Sequence, residues 1–203
     1  MSTNEIAKRC PTLGLKVYTY LRFLILPIKN IDEIVPKSGK IIDYGCGFGI
    51  ISFYLGLSSK YRKIIGIEFN AERIKKARLI GRNIANVKFE VGDASKIIIR
   101  KSDIHLLVDV LHHISYDKQI LLLNSIIKSM KKNNLIIIKD IDRKPFHKYL
   151  WNYMHDKIMT LNDKLYFRNH EWFESFFKES NIKTETIRCD NFFYSHFIII
   201  AKK

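Results

Sequence analysis

Five short apolar runs alternate with helically spaced stretches, and this alternation is the strongest constraint on the fold. The runs are Lys40–Tyr44, Lys63–Phe69, Val87–Val91, Ile104–Asp109 and Leu135–Lys139. Leu135–Lys139 is a continuous apolar run, as a strand is when both sheet faces are covered. Helical spacing is read at 5–30 (one or two helices), 50–57, 73–84 behind an Asn70 N-cap, 116–130, 146–160 and 171–180. Strands separated by helices predict a parallel, doubly wound sheet. The end of the chain breaks the rule. Lys183–Arg188 and Ser195–Lys202 also read as strands, but only Cys189 to Tyr194 separates them. That is too short for a helical crossover, so the two must pair antiparallel. The expectation is an α/β, Rossmann-like, seven-stranded sheet, mostly parallel with a C-terminal antiparallel hairpin and helices on both faces.

Composition narrows the class of partner. The chain has 203 residues, 35 Lys+Arg, 20 Asp+Glu and a net charge of +15. The charge is spread evenly: +4 over residues 1–40, +5 over 41–110 and +6 over 111–203. There is no basic tail or arginine-rich arm. With 25 Lys against 10 Arg, and 33 Ile, the excess fits solvated lysines of an AT-rich coding bias better than a nucleic-acid surface. Three widely spaced cysteines (Cys10, Cys46, Cys189) give neither a disulfide framework nor zinc spacing, which predicts a reducing, cytoplasmic setting. Val17–Ile28 is apolar but broken by Arg22 and Pro27, and it is too short to span a bilayer.

The chemistry concentrates at the end of the first strand. Asp43-Tyr44-Gly45-Cys46-Gly47-Phe48-Gly49 puts alternate glycines between a strand and a helix. Glycines there let the backbone turn sharply and approach a ligand. Glu68, 19 residues after Gly49, ends the second strand, where a carboxylate accepts hydrogen bonds from ribose hydroxyls. A dinucleotide-binding loop would need G-x-G-x-x-G, and this loop reads Gly45, Gly47, Gly49 and then Ile50.

Together these residues resemble class I S-adenosylmethionine-dependent methyltransferases, especially members acting on small molecules or lipids. IIDYGCGFG is similar to that family's first motif, GIEFN to its ribose motif, VGDA to its adenine motif and LLVDVLHHI to the motif at the active-site floor. The resemblance implies one methyltransferase domain over 1–203, with an N-terminal helical lid at 1–36 and a substrate-recognition insert at 140–170. It implies S-adenosyl-L-methionine as cofactor and no metal. Asp43, Gly45, Cys46, Gly47 and Gly49 would hold the methionine part. Glu68 and Phe69 would flank the ribose, and Asp93 and Ala94 the adenine. Val108 and Asp109 would line the sulfonium side, with Tyr18 and Arg22 closing over from the lid.

Methyl transfer needs a base only when the acceptor must lose a proton. His112 and His113 follow the fourth strand, and His155 shares a helix face with Trp151 and, one turn earlier, His147. Imidazole titrates near neutral pH, which makes these three the candidate catalytic residues. No Pro-Pro pair and no Pro-Cys pair follows the fourth strand, so the signatures of amine- and pyrimidine-methylating nucleic-acid enzymes are missing. The expected partner is a small-molecule acceptor, not a nucleic acid. The alternatives are a lipid methyltransferase contacting the membrane through basic, apolar Lys16–Lys29, an RNA or DNA methyltransferase, and an inactive cofactor-binding subunit. The sequence leaves the oligomeric state open.

Overall fold

A computed structural model describes residues 3–94, 96, 99–159, 164–190 and 194–203. It describes the backbone of residues 3, 155, 156, 158 and 159 without their side chains. The chain divides into two compact units, residues 1–97 and 98–203. Its strands form a seven-stranded sheet in the order β3 (Val87–Val91), β2 (Arg62–Glu68), β1 (Gly39–Tyr44), β4 (Ile104–Val108), β5 (Leu135–Ile141), β7 (His196–Lys202) and β6 (Lys183–Arg188).

The first unit carries α1 (Thr3–Arg9), α2 (Leu13–Ile25), α3 (Ile28–Ile34), β1 (Gly39–Tyr44), α4 (Ile50–Ser58), β2 (Arg62–Glu68), α5 (Ala71–Ile80) and β3 (Val87–Val91). The expected one or two N-terminal helices are three. Pro11 and Pro27 lack an amide hydrogen and restrict their predecessors, so they divide the run. Parallel pairing sets Asp43 opposite Gly66 and Glu68 opposite Val91. Asn70 caps α5 as expected, accepting from the Glu72 and Arg73 amides. A buried arginine braces this unit. Arg62 donates to Asp32 Oδ1 at 2.5 Å, Ser58 Oγ at 2.6 Å and the carbonyls of Pro36, Leu55, Asp32 and Val35. Burial raises the Asp32 pKa, but hydrogen bonds from Arg62, Lys37 and Ser58 outweigh it and leave the group below its ordinary value.

The second unit carries β4 (Ile104–Val108), α6 (Tyr116–Ser129), β5 (Leu135–Ile141), α7 (Phe146–Met159), α8 (His170–Glu179), β6 (Lys183–Arg188) and β7 (His196–Lys202). β4 and β5 run parallel. β7 pairs antiparallel with β5 on one side and with β6 on the other, as the short connection requires. Leu106, Leu107, Ile136, Ile137, Ile138, Phe197, Ile198 and Ile199 are fully enclosed, so this unit's core sits on both faces of its central strands.

Candidate cofactor and acceptor sites

In the first unit the chain leaves β1 through Gly45, Gly47 and Gly49, with φ of +69°, +56° and +75°. A side chain is strained in this left-handed region. At Gly49 it would also collide, since a Cβ would lie 2.5 Å from Phe89 Cζ. The Gly45 and Cys46 amides donate to the Ile67 carbonyl at 2.8 and 3.0 Å, tying the turn to the end of β2. The Gly47 amide then donates to Glu68 Oε2 at 3.1 Å, and the Asn70 amide to Oε1 at 3.0 Å. Glu68 is buried and aimed by two backbone donors, and Arg73 stands off at 4.0 Å. Each carboxylate oxygen can accept a further hydrogen bond, which suits a vicinal diol.

Asp43 is buried at the end of β1, where Ser52 Oγ donates to its Oδ2 at 2.5 Å. Burial pushes its carboxyl up to about 7; the Ser52 hydrogen bond opposes the rise and the Glu68 charge adds to it. No lysine or arginine pairs with it among the described residues. Cys46 is held well above the ordinary thiol range by burial and by the charges of Asp43 and Glu68, so it is not a nucleophile. Tyr18 of α2 meets the Phe48 ring edge-on at 5.3 Å, and Arg73 and Lys76 each stand 5.7 Å over the same ring. Phe48 is thus a hub that the glycine spacing did not reveal. Arg22 is half-buried, Phe69 is exposed, Ala94 is half-buried, and Asp93 faces Lys96 at 3.6 Å. A buried carboxyl without a cation, a bare turn and an aimed carboxylate fit the ammonium and ribose of S-adenosylmethionine.

In the second unit Val108 is buried and Asp109 takes a left-handed φ of +50°. Lys139, fully buried on β5, donates from Nζ to Asp109 Oδ1 at 2.6 Å, and its carbonyl accepts the Asp109 amide at 2.9 Å. One residue on, Asp140 Oδ1 lies 2.5 Å from His112 Nδ1. His112 is 2% exposed and stacks on Phe167 at 4.9 Å. His113 is exposed, with its ring 4.2 Å from that of His112. The two histidines therefore differ: His112 is enclosed and fixed, and His113 faces outward.

Gln119 holds this turn. Its side-chain nitrogen lies 2.9 Å from Leu111 O, 2.8 Å from Ile114 O and 2.9 Å from Tyr166 O, bracketing both histidines. Arg168 Nε donates to Gln119 Oε1 at 2.7 Å, and its guanidinium packs 3.5 Å from the Trp172 ring centre and 4.5 Å from that of Tyr116. Tyr149 and Tyr153 also reach Phe167, at 5.5 and 6.4 Å. On α7, His147 and Trp151 are exposed, and the His155 side chain lies outside the described residues. Asp142, His170 and Glu171 bring ligand-type atoms within 4.8 Å of one another. Arg188 lies 3.5 Å from Asp142 and Lys144 3.6 Å from Glu171, so these carboxylates are already met by cations in an ion-pair network.

The architecture is that of the class I methyltransferases. Coclaurine N-methyltransferase, solved with N-methylheliamine and SAH, superposes with a TM-score of 0.69 at 11% identity, over 87% of this chain and 70% of that one. Magnesium protoporphyrin IX methyltransferase from Synechocystis PCC 6803, solved with SAH, gives 0.65 at 16% identity, over 98% and 86%. At these identities the likeness is one of fold. A tRNA (guanine-N(7)-)-methyltransferase from Prochlorococcus marinus subsp. pastoris is 33% identical over 135 residues, covering 58% of this chain and 65% of the relative. That match spans less than two thirds of the relative's length. Residues 36–184 match the methyltransferase-domain family model, and the chain belongs to that family.

Proposed function

We propose that the protein transfers a methyl group from S-adenosylmethionine to a small organic acceptor. The observation that carries the cofactor half is the Gly47–Glu68 hydrogen bond, which fixes a ribose-type acceptor of hydrogen bonds against a bare glycine turn. Asp43 would receive the methionine ammonium and Asp93 the adenine amine. Residues 1–36 act as a lid through Tyr18 and Arg22, Tyr18 by its contact with Phe48. When bound, the cofactor supplies an electrophilic methyl carbon. The protein's share is to orient the acceptor and exclude water.

For the acceptor, support comes from the aromatic enclosure formed within the second unit by Phe167, Tyr149 and Tyr153, part of the 140–170 insert. In this reading His113 touches the acceptor and takes its proton at a ring nitrogen. His112, clamped by Asp140, is the positioning residue behind it. His113→Ala should lower kcat for a hydroxyl acceptor at neutral pH and recover at high pH, whereas His112→Ala should not recover. Equal, pH-independent losses in both variants would defeat this assignment.

A second reading is favoured by the Prochlorococcus relative: methylation of a guanine in tRNA. Transfer of labelled methyl to a panel of phenols, amines and carboxylates, run beside total tRNA, separates the two. Label in the tRNA alone would replace the small-molecule proposal. No SAH binding by calorimetry would remove both.

A further inference from the structure

Helix α2 is amphipathic in the inverted sense. Its inward side is narrow and partly polar: Leu15 and Thr19 are buried, and Thr19 Oγ1 donates to the Leu15 carbonyl at 2.8 Å. Its outward side carries Leu13 (77% exposed), Val17 (50%), Tyr20 (43%), Leu21 (50%) and Leu24 (78%). At about 100° per residue these five fall within an arc of about 100° opposite Leu15. Tyr18 and Arg22 lie outside that arc, so the stripe is separate from the proposed cofactor residues. Of the fifteen exposed large hydrophobic side chains among the described residues, five are on this one short helix, so they form a cluster and not normal scatter.

The charge around the stripe is predominantly positive. Residues 3–31 contain Lys8, Arg9, Lys16 and Lys29, besides the Arg22 of the proposed lid, against the single acid Glu5, in a chain with 20 acids overall. An apolar stripe in net-basic surroundings matches a helix lying in the plane of an anionic bilayer, with leucines in the acyl boundary and lysines at the headgroups. A second copy of the chain would set five positive charges against five. A nucleic acid would leave the leucines exposed. Thirteen residues span only about 20 Å, so the helix lies on the bilayer and does not cross it. We infer that α2 docks the protein onto anionic lipid surfaces through Leu13, Val17, Leu21 and Leu24. This inference stands on the surface alone and does not depend on the proposed acceptor.

The test is co-sedimentation of the full chain with phosphatidylcholine vesicles, alone or containing about a third phosphatidylglycerol. Binding to the anionic vesicles only, weakened by salt, is expected. Leu21→Asp/Leu24→Asp should lower partitioning at least about tenfold. Leu121→Asp, which alters an exposed leucine on α6, should leave it unchanged. If the leucine variant fails to fold, Lys8→Glu/Lys16→Glu/Lys29→Glu should abolish the preference for anionic lipid. Equal binding to neutral vesicles, or unaltered partitioning of either variant, overturns the inference. So does lipid-free self-association abolished by Leu21→Asp/Leu24→Asp, or displacement from vesicles by short RNA at equal strength in wild type and the leucine variant.

Discussion

The strand-end sites of the two units treat their buried carboxylates in opposite ways, although the first unit also buries a paired charge in Arg62–Asp32. At the glycine turn, Asp43 and Glu68 are buried carboxyls served by a hydroxyl and by backbone amides, and among the described residues the cation that approaches is Arg73, 4.0 Å from Glu68. At the ends of β4 and β5, Asp109 has Lys139, Asp140 has His112, and Asp142 has His170. Buried charge without a partner is costly, so the first arrangement is poised for a ligand that brings its own donors. The second is already balanced. On the proposed reading, binding belongs to the uncompensated end and alignment to the compensated one.

The contrast breaks most visibly at Lys139. Lys139→Ala removes the buried ammonium that meets Asp109 and should cost about 3 kcal/mol of stability in urea denaturation. Glu68→Gln acts on the other kind of site. It should leave the apo protein folded while weakening SAH binding about ten- to a hundredfold by calorimetry. A comparable stability loss in both variants would erase the distinction.

Asp43 sharpens it through pH. Its folded pKa of about 7 lies above the ordinary 3.8, so its contribution to apo stability is full below about 4 and is lost as pH rises through 7. Ligand binding runs the other way. An ammonium ligand prefers the ionised carboxylate, so SAH affinity should climb up to about tenfold per pH unit between 5 and 7 and level off above. Asp43→Asn should flatten that slope. The smallest effect is expected at Arg168→Lys, which keeps the charge but loses the planar stacking between Tyr116 and Trp172. About 1 kcal/mol of stability should go, with SAH affinity unchanged.

What the sequence revealed was whatever depends on neighbours along the chain. The strand runs, the Asn70 cap, the glycine turn and Glu68 at its strand end all have local signals, and the short Cys189–Tyr194 connection dictated an antiparallel end. The partnerships were not legible. Lys139 reads as the polar end of LIIIK, and nothing in its spacing names Asp109, thirty residues earlier. Arg62 reads as a solvated residue beside a strand, yet it is fully enclosed because Asp32 and a set of carbonyls converge on it. Nothing in the spacing of Arg168 and His170 names their partners either. Stacking on Tyr116 and Trp172 and pairing with Asp142 draw them partly inside. The helical spacing at 5–30 runs through Pro27, but the chain starts a separate helix there that continues to Ile34, beyond that spacing.

The placement of β7 between β5 and β6 has a consequence for synthesis. A ribosome delivers β6 before the strand it must pair with, and β5 waits with an open edge until residues 196–202 follow. An unpaired strand edge is a template for the wrong partner. During that interval the apolar run Ile136-Ile137-Ile138 stands on an open strand edge, the kind of surface that makes incomplete chains prone to aggregate.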